Sequence, residues 1–442
     1  MSHEQKYEEA CGRYLPRREA QCGEELAGQR VDAAHRGKSA DRRTPDGVPV
    51  IARPDRGQAF PWFVFGLMAS IPFVGILSEL VPSGILPQMI DGLGASETQV
   101  GFLVGVYALA SAVAAIPLIS ATLAVNRKTL LMILLLGFAV SNLVVGISSS
   151  YAVIVASRVV GGICAGVMWP MIAAYGTRLV PENMQGRAIT VIMSGNTLGI
   201  SIGLPLMTTV GLALGWRTAF LVLAVAVVAI AVLSFIYLPS VEAEDVRSGG
   251  SPLLTVLKMR SIWIVLLLTF LSVAAHYGLY TYITLLVGMI DFAGGIGMAL
   301  LIFGIGSVIS VVVSARYIDA YLRPLIVIML AIGAVSMTLL VVFGGMVGVS
   351  HVAFFLWGLA FGPLVTMYQT AVSKQVDEAK DVATSVQSSV FNLSIMAATL
   401  VGGLLLSQFP ASGVTAIVYM SLALFVVAAI IAALAKRTLR SS

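Results

Sequence analysis

The chain has 442 residues, 58% of them hydrophobic and only 11% charged, with a formal net charge of +5. Soluble globular proteins carry about 25% charged residues, so this composition excludes an ordinary soluble domain. The modest basic excess gives no reason to expect a nucleic-acid partner.

The first 58 residues form a polar segment that differs from the rest of the chain. Residues 1–60 contain 11 Lys/Arg and 10 Asp/Glu, whereas the other 382 residues contain 16 and 12. The segment has no apolar run, so we do not expect a signal peptide. Its mixed charge favours a disordered cytoplasmic tail over 1–58. A translation start assigned too far upstream would leave the same pattern.

About a dozen continuous apolar runs occupy the rest of the chain. A run of 18 or more apolar residues is typical of a membrane-spanning helix, and continuous rather than alternating apolarity argues against a β-barrel. We therefore predict an all-α membrane protein with twelve transmembrane helices. They are expected near 62–88, 97–121, 129–147, 151–176, 188–212, 217–238, 262–288, 295–315, 324–343, 351–373, 383–406 and 412–435. The predicted domains are six-helix bundles at 59–238 and 261–436, joined by a cytoplasmic linker at 239–260.

Basic residues indicate the orientation of the spans, because cytoplasmic loops are enriched in Lys and Arg. With the N-terminus inside, the inner connectors carry 14 Lys/Arg and the outer connectors carry only Arg217. Both termini are therefore predicted to lie in the cytoplasm.

An internal repeat relates the two sets of six spans. At an offset of 196 residues, Arg127 aligns with Arg323, Glu182 with Glu378, and Asn196 with Asn392. Such residues are rare here, so their coincidence is informative. Repeats with the same in–out sense are related by an axis along the membrane normal, as in transporters whose halves rock about a central site.

Glu79 is the single charged residue between Pro61 and Ile90. It lies about 26 Å along span 1, and Arg158 lies about 10 Å into span 4 from the opposite end, so their depths are similar. Intramembrane charges usually face a bundle interior or an aqueous cavity, and they pair. We expect both residues in one polar cluster, in direct contact or through water, with Glu79 as a proton carrier. A static ion pair that fixes helix packing is the alternative.

Span 7 contains the polar, aromatic stretch AAHYGLYTYITLL. His276 with Tyr277 and Tyr280 makes a wall suited to a sugar, nucleoside or aromatic drug. At the repeat offset, His276 holds nearly the place of Glu79. The alternative is a hydrogen-bonded core histidine, because unpaired polar groups are costly in lipid. Further candidates for the cavity are Tyr107, Trp169, Asn196 and Asn392, each of which could instead serve packing.

Span 5 reads SGNTLGISIGLPL, with Gly195, Gly199 and Gly203 at intervals of four residues. A stripe of small residues lets helices approach closely, and Pro205 can kink a helix. We therefore expect a tight contact between span 5 and a neighbouring helix.

Together these segments resemble the major facilitator superfamily. Within it they are most similar to the drug:proton antiporter branch of bacterial sugar-efflux, arabinose-efflux, purine-ribonucleoside and chloramphenicol exporters. The resemblance covers about 60–435 and rests on SELVPSGILPQM, VGVYALASAVAAIPL, SRVVGGICAGVMWPMIAAYGTRLVP, SGNTLGISIGLPLMTTVGLALGWRTAFL, AHYGLYTYI and FNLSIMAATLVGGLLL. It implies the superfamily fold, proton-linked export, and a coupling role for Glu79 and Arg158.

The same resemblance bears on packing and gating. The span-5 glycines with Pro205 resemble the antiporter motif of the family. The loop between spans 2 and 3, SATLAVNRK, lacks the Asp that is usual in the family. Its second-half copy, SARYIDAYLR, keeps Asp319 and Arg323, which are therefore the candidate gating residues.

We predict a monomeric secondary transporter of the inner membrane that exports a small organic solute in exchange for protons. A proton-coupled importer and a non-transporting membrane sensor are the alternatives. An embedded enzyme is the weakest alternative, because no nucleophile–base set is found. Cys11, Cys22 and Cys164 lack companions at metal-ligand spacing, so we expect no metal. The proton gradient takes the place of a cofactor.

Overall fold

The computed structural model describes residues 60–122, 125–181, 184–241, 256–376 and 380–435. The predicted tail at 1–58 and most of the predicted linker at 239–260 lie outside these residues. Within the described part of the chain, every regular element is a helix.

Six spans precede the predicted linker. They are span 1, Trp62–Gly84 with the short helix Leu86–Leu93; span 2, Glu97–Ala121; span 3, Arg127–Ile147; span 4, Tyr151–Thr177; span 5, Gln185–Leu198 with Leu204–Leu214; and span 6, Trp216–Tyr237.

Six spans follow it. They are span 7, Arg260–Tyr280 with Ile283–Met289; spans 8 and 9, joined as Gly295–Phe343; span 10, Val347–Phe361 with Leu364–Ser373; span 11, Lys380–Gln408; and span 12, Gly413–Leu434. Twelve helical segments of the described chain are thus long and apolar enough to cross a membrane, which confirms the predicted number.

Spans 1 and 7 are interrupted by residues with non-helical backbone angles, where the sequence suggested continuous helices. Span 1 was predicted over 62–88, but its first helix ends at Gly84 and Ile85 leaves helical geometry, with φ −125° and ψ 24°. Pro87 then takes the second position of the next helix, where a missing N–H costs little. Span 7 was predicted over 262–288 but breaks at Tyr282, with φ −108° and ψ 23°.

The connector between spans 8 and 9 is helical, which corrects the loop predicted between 315 and 324. The helix Gly295–Phe343 runs through it and leaves helical geometry only at Tyr321, with φ −131° and ψ 34°. Pro324, three residues later, has no N–H and its ring crowds the preceding turn, which explains the kink. Asp319 lies in this connector, and its side chain is outside the described part.

Span 5 changes its winding just before Pro205. A π-helical turn over Gly199–Gly203 separates the two helices of this span. Pro205 has no N–H for the carbonyl of Ser201, and a wider turn accommodates that loss. The predicted irregularity therefore lies one turn before the proline.

Packing contacts recur at the predicted offset of 196 residues. A Cβ added to Gly162 would collide with the carbonyl oxygen of Tyr107. A Cβ added to Gly358 would collide with the carbonyl oxygen of Phe303, and both residue numbers are higher by 196. Two further equivalent contacts are Gly166 with Ser111, and Gly362 with Ser307. Span 4 thus packs on span 2 as span 10 packs on span 8.

The two halves, spans 1–6 and spans 7–12, meet closely at one face of the bundle. We define the first face as the one where span 1 begins at Trp62, and the second face as the opposite one. At the second face, Thr98 donates a hydrogen bond of 2.8 Å to the Gly403 carbonyl. Ser201 donates to the Gly304 carbonyl at 3.1 Å in the middle of the bundle.

A cavity lies between the halves at the first face. Its volume is about 550 Å³. It is lined by Ile189 of span 5 and, across from it, by residues of spans 10 and 11 and their connector, namely Thr366, Gln369, Thr370, Ser373, Lys374, Val376 and Thr384. The halves are therefore hydrogen-bonded at the second face, and a cavity lies between span 5 and the second half at the first face.

Tyr282 closes the second face by filling a socket of glycines from both halves. A Cβ on Gly101 would collide with the Tyr282 hydroxyl, and one on Gly402 would lie 2.7 Å from its ring. The Tyr282 hydroxyl donates to the Thr399 carbonyl at 2.8 Å. Closure of this face therefore requires a residue without a side chain at Gly101.

Gly101→Leu is expected to shift the protein towards a form that is open at the second face, because the new side chain occupies the Tyr282 socket. Spin labels on Ser96 and Ser407, in a cysteine-free background, measure the separation of the halves at this face. We expect a larger population at long distance in the variant. Gly288→Leu is the matched control, since a Cβ there meets nothing within 4 Å. Identical distance distributions in both variants would contradict the closing role of Tyr282.

Candidate functional site

Arg158 joins three spans through main-chain oxygens. It is only 1% exposed. Its Nε donates to the Leu103 carbonyl at 3.0 Å, and its Nη2 donates to the Glu79 carbonyl at 2.9 Å. Its Nη1 also donates to the carbonyl of Ser78. Span 4 is thereby fastened to spans 1 and 2 beside Glu79.

Tyr107 covers one side of the guanidinium group. The Arg158 Cζ lies 4.2 Å from the centre of the Tyr107 ring, a distance at which a cation is attracted by the face of an aromatic ring. A Cβ on Gly161 would lie 3.0 Å from this ring, so a residue without a side chain at 161 admits the tyrosine. The Tyr107 hydroxyl is enclosed and has no hydrogen-bond partner among the described residues.

Asn142 supports the same cluster and was not predicted from the sequence. Its Nδ2 donates to Ser78 Oγ and to the Phe138 carbonyl, both at 2.9 Å. Ser78 Oγ in turn donates to the Val74 carbonyl at 2.8 Å. A buried amide in the apolar span 3 is the signal that could have identified it, because polar side chains within membranes usually bond other helices.

The Glu79 carboxylate is buried but unpaired. Glu79 is 4% exposed, and its side chain forms no hydrogen bond or ion pair with a described residue. Its oxygens are not among the fully enclosed polar atoms that lack a partner, so the remaining exposure includes the carboxyl group. The predicted cluster with Arg158 thus exists, but the direct contact is to the Glu79 main chain.

The carboxylate also interacts with the second half. It is close enough for electrostatic interaction with the phenols of Tyr107 and Tyr277. Tyr277 belongs to span 7, so Glu79 lies next to the boundary between the halves. The second face is closed above it by the Tyr282 socket. Glu79 therefore lies towards the closed end of the space between the halves.

His276 lies in a cluster of aromatic rings in the second half. Its ring stacks on Phe361 with a centroid distance of 3.6 Å and an angle of 11°. Its centroid distances to Tyr280, Trp357 and Phe303 are 4.8, 5.4 and 5.6 Å. Tyr277 adds an edge-on contact at 4.8 Å. We call these six residues the aromatic cluster.

Three polar atoms of the aromatic cluster lack partners among the described residues: His276 Nδ1, the Tyr280 hydroxyl and Trp357 Nε1. The alternative interpretation, a hydrogen-bonded core histidine, therefore finds no partner for Nδ1 among the described residues. An enclosed polar atom without a partner costs about 1–3 kcal/mol. Groups of this kind need an explanation, and a solute or water that pairs with them provides one.

The cluster around Arg158 and Glu79 and the aromatic cluster occupy related places in the two halves. At the offset of 196, Tyr107 corresponds to Phe303 and Arg158 to Phe354. Phe354 lies 5.7 Å from the Trp357 ring. The sequence prediction missed Phe303, Trp357 and Phe361, although the match of Phe303 to Tyr107 could have indicated the first. The first half thus carries the charged residues Glu79 and Arg158, and the second half carries the aromatic cluster in the related place.

The remaining predicted cavity residues are spread more widely. Trp169 is half-buried and is 3.9 Å from a Cβ built on Gly75. The Asn196 Oδ1 is enclosed and has no partner among the described residues. Asn392 donates to the Ser388 carbonyl at 2.9 Å. No described contact brings these three side chains to Glu79 or His276.

The span-5 glycines pack directly on span 1. A Cβ on Gly195 would collide with the Ala69 carbonyl. One on Gly199 would lie 3.1 Å from the Phe73 carbonyl oxygen, and one on Gly203 would lie 2.8 Å from the Phe73 ring. Span 5 therefore lies against the helix that carries Glu79.

Arg323 lies at the end of span 12. Its Nε donates to the Ala432 carbonyl at 3.4 Å, and its Nη2 donates to the Ala433 carbonyl. A cation is favourable at a helix C-terminus, where the carbonyls are otherwise unpaired. Arg323 thus fastens span 9 to span 12. No group of His, Cys, Asp and Glu in the described chain could hold a metal ion.

The sequence pattern of the Major Facilitator Superfamily matches residues 68–383. The chain belongs to this superfamily. Major facilitator proteins of known structure share its fold. A bacterial homologue of the human lysosomal transporter Spinster, inward-facing and unoccupied, has a TM-score of 0.69 at 15% identity, over 86% of this chain and 98% of its own. A nucleoside transporter has a TM-score of 0.66 at 12% identity, over 86% of this chain and 99% of its own.

Two relatives with higher sequence identity are efflux transporters. A probable sugar efflux transporter of Mannheimia succiniciproducens is 28% identical over 342 residues, which cover 76% of this chain and 85% of the relative. A chloramphenicol efflux pump of Mycobacterium tuberculosis is 30% identical over 363 residues, which cover 79% and 87%. The chain is therefore a multi-pass membrane transporter of the major facilitator superfamily, and its relatives are named as efflux transporters rather than enzymes.

Proposed function

We propose that this transporter exports a small organic solute in exchange for protons, with Glu79 as the proton carrier. The observation that supports this most directly is the Glu79 carboxylate, which is buried, unpaired and next to the boundary between the halves. A static ion pair with Arg158 would leave no free carboxylate. Intramembrane carboxylates commonly mark proton pathways.

In this proposal the protein lies in the inner membrane of a bacterial-type cell. Both of its termini lie in the cytoplasm. The prediction rests on the 14 Lys/Arg of the inner connectors and on the positive-inside rule. The first face is then cytoplasmic, and the structure corresponds to the inward-facing form of a monomer.

The proposed cycle alternates between closure at the second face, as in this structure, and closure at the first face. The solute enters from the cytoplasm through the cavity at the first face. The halves then rock, the Tyr282 socket opens, and the solute leaves while Glu79 takes up a proton from outside. Return to the form seen here delivers that proton to the cytoplasm. Exchange requires that solute and proton bind the two forms with different affinities.

Arg158 has a positioning role in this cycle. Its three main-chain hydrogen bonds hold its charge beside span 1 without neutralising the Glu79 carboxylate. Burial and a nearby cation act in opposite directions on a carboxylate. A change in water access as the halves rock can therefore change whether Glu79 holds a proton.

The proposed substrate class is a sugar, a nucleoside or a drug-like molecule. The aromatic cluster supports this class, because it combines ring faces with three unpaired polar atoms. Binding sites for small molecules are mostly apolar and contain a few placed polar groups. Two relatives are named for export of a sugar and of chloramphenicol, and both solutes belong to this class.

Counterflow in proteoliposomes tests the proposal against sugars, nucleosides and phenicols, with and without a pH gradient. We expect exchange of at least one solute without a gradient, and net movement towards the acidic side when a gradient is imposed. Net movement in the opposite direction would identify an importer. Absence of flux for every class would support the non-transporting sensor.

A further inference from the structure

A groove lies on the outside of the first half. Its volume is about 600 Å³ and it lies between spans 3 and 6. It is lined by Asn126, Lys128, Thr129, Met132, Leu135, Leu136, Ala139, Val228, Ala231, Val232, Phe235 and Ser240. It is separate from the space between the halves.

The length of the groove matches one leaflet of a bilayer. Its lining extends along span 3 from Lys128 to Ala139, which is about 16 Å of helix at 1.5 Å per residue. The hydrocarbon core of a bilayer is about 30 Å thick, so one leaflet supplies about half of that. The groove therefore begins at the first face and ends near the middle of the membrane.

The walls of the groove are apolar and face outwards. Leu136, Val228 and Val232 are 64%, 50% and 53% exposed, as expected for side chains that contact lipid. Two small residues, Ala139 and Ala231, contribute to the lining. Small residues leave a depression between two helices that an acyl chain can fill.

The end of the groove at the first face is polar and basic. Asn126 Nδ2 donates to Ser240 Oγ at 2.7 Å. The Lys128 Nζ lies 5.3 Å from the Phe235 ring, and no hydrogen bond or ion pair joins it to a described acidic residue. The ammonium group therefore lies at the first-face end of the groove, and no carboxylate of the described residues pairs with it.

We propose that this groove binds an anionic phospholipid of the leaflet at the first face. One acyl chain lies between spans 3 and 6, and the phosphate group lies beside Lys128 with the Asn126 and Ser240 side chains. Basic pockets between helices on the cytoplasmic side attract anionic headgroups. The second half has no copy of this cation, because residue 324, at the offset of 196 from Lys128, is a proline.

The site is also attached to the start of the segment that joins the halves. The Arg127 N–H donates to the Val241 carbonyl at 3.2 Å, and the Tyr175 hydroxyl donates to the Pro239 carbonyl at 2.5 Å. A phosphate at Lys128 and Ser240 would add to these contacts. Lipid binding is therefore expected to stabilise the folded protein.

The test compares phosphatidylglycerol with phosphatidylcholine on the purified full-length protein in detergent. Bound lipid is counted by native mass spectrometry, and thermal stability is followed as each lipid is titrated. We expect preferential binding of phosphatidylglycerol. A basic residue near a membrane surface contributes about 1 kcal/mol to such binding, so Lys128→Gln should weaken it about fivefold.

Lys258→Gln is the matched control, because Lys258 is exposed at the same face but does not line the groove. We expect it to keep the preference for phosphatidylglycerol. Ala231→Phe fills the groove and should reduce binding of both lipids. Soluble glycerol 1-phosphate distinguishes a lipid site from a phosphate site, and we expect no stabilisation by it.

Two results would overturn the proposal. One is equal phosphatidylglycerol binding by Lys128→Gln and the unmodified protein. The other is stabilisation by glycerol 1-phosphate that matches the effect of the lipid, since the acyl chain would then have no part in binding.

Discussion

Glu79→Gln is expected to abolish transport driven by a pH gradient while leaving solute counterflow in place. Glutamine has nearly the same shape as glutamate, but its side-chain amide does not gain or lose a proton at the pH values of such a gradient. The Glu79 side chain forms no hydrogen bond or ion pair with a described residue, so the substitution removes no bond of either kind among these residues. If Glu79 carries the proton, the variant should still exchange solute for solute but no longer respond to the gradient.

The measurement is uptake of labelled solute into proteoliposomes, with an imposed pH gradient and then in counterflow without one. Glu97→Gln is the matched control, because Glu97 is an exposed acid at the second face. It should retain both activities. Gradient-driven transport by Glu79→Gln at the level of the unmodified protein would exclude Glu79 as the carrier.

Thermal stability separates this effect from a structural one. The unpaired carboxylate predicts a change in unfolding free energy of less than about 1 kcal/mol on amide substitution, because no charge-assisted hydrogen bond is lost. A large drop in melting temperature would instead show that Glu79 has a structural partner.

The fold was predictable because the bilayer imposes a simple pattern. Long apolar runs become helices, since every backbone polar group must be satisfied within the membrane. The helix breaks were harder to place. Gly84 and Pro324 are visible in the sequence, but the residue that leaves helical geometry is Ile85 in one case and Tyr321 in the other.

The site was predictable only in part. Glu79 and Arg158 stand out because charges are rare in an apolar span. The partners of Arg158 could not be predicted, since they are main-chain carbonyls that every residue carries. Which carbonyls it meets depends on which turns of spans 1 and 2 approach it. Only the packed structure shows this.

The aromatic cluster shows a second limit. His276 was visible as an isolated histidine in a span. Trp357 and Phe361 were not, because aromatic residues are ordinary in apolar spans and contribute to packing wherever they lie. What they share is contact with the imidazole ring of His276. That contact depends on how span 10, which carries Trp357 and Phe361, faces span 7.

Arg158→Lys is expected to destabilise the folded protein strongly, whatever the pH gradient. Arginine presents its donors in a planar fork, and here they reach three carbonyls from spans 1 and 2. Lysine has a single nitrogen and cannot reach all three. A hydrogen bond to a charged group contributes about 1.5–3 kcal/mol, so loss of two should cost at least about 3 kcal/mol.

The melting temperature of the purified protein in detergent measures this effect. Arg217→Lys is the control, because Arg217 is less buried and bonds Ser148 and Ser149 at 3.3–3.4 Å near the second face, where water can replace those bonds. An Arg158→Lys protein as stable as this control would show that the three carbonyl bonds contribute little. Substitutions of Glu79 and of Arg158 are therefore expected to have opposite phenotypes. Loss of the Glu79 carboxylate should change coupling without changing stability, and loss of the Arg158 guanidinium should change stability before coupling can be measured.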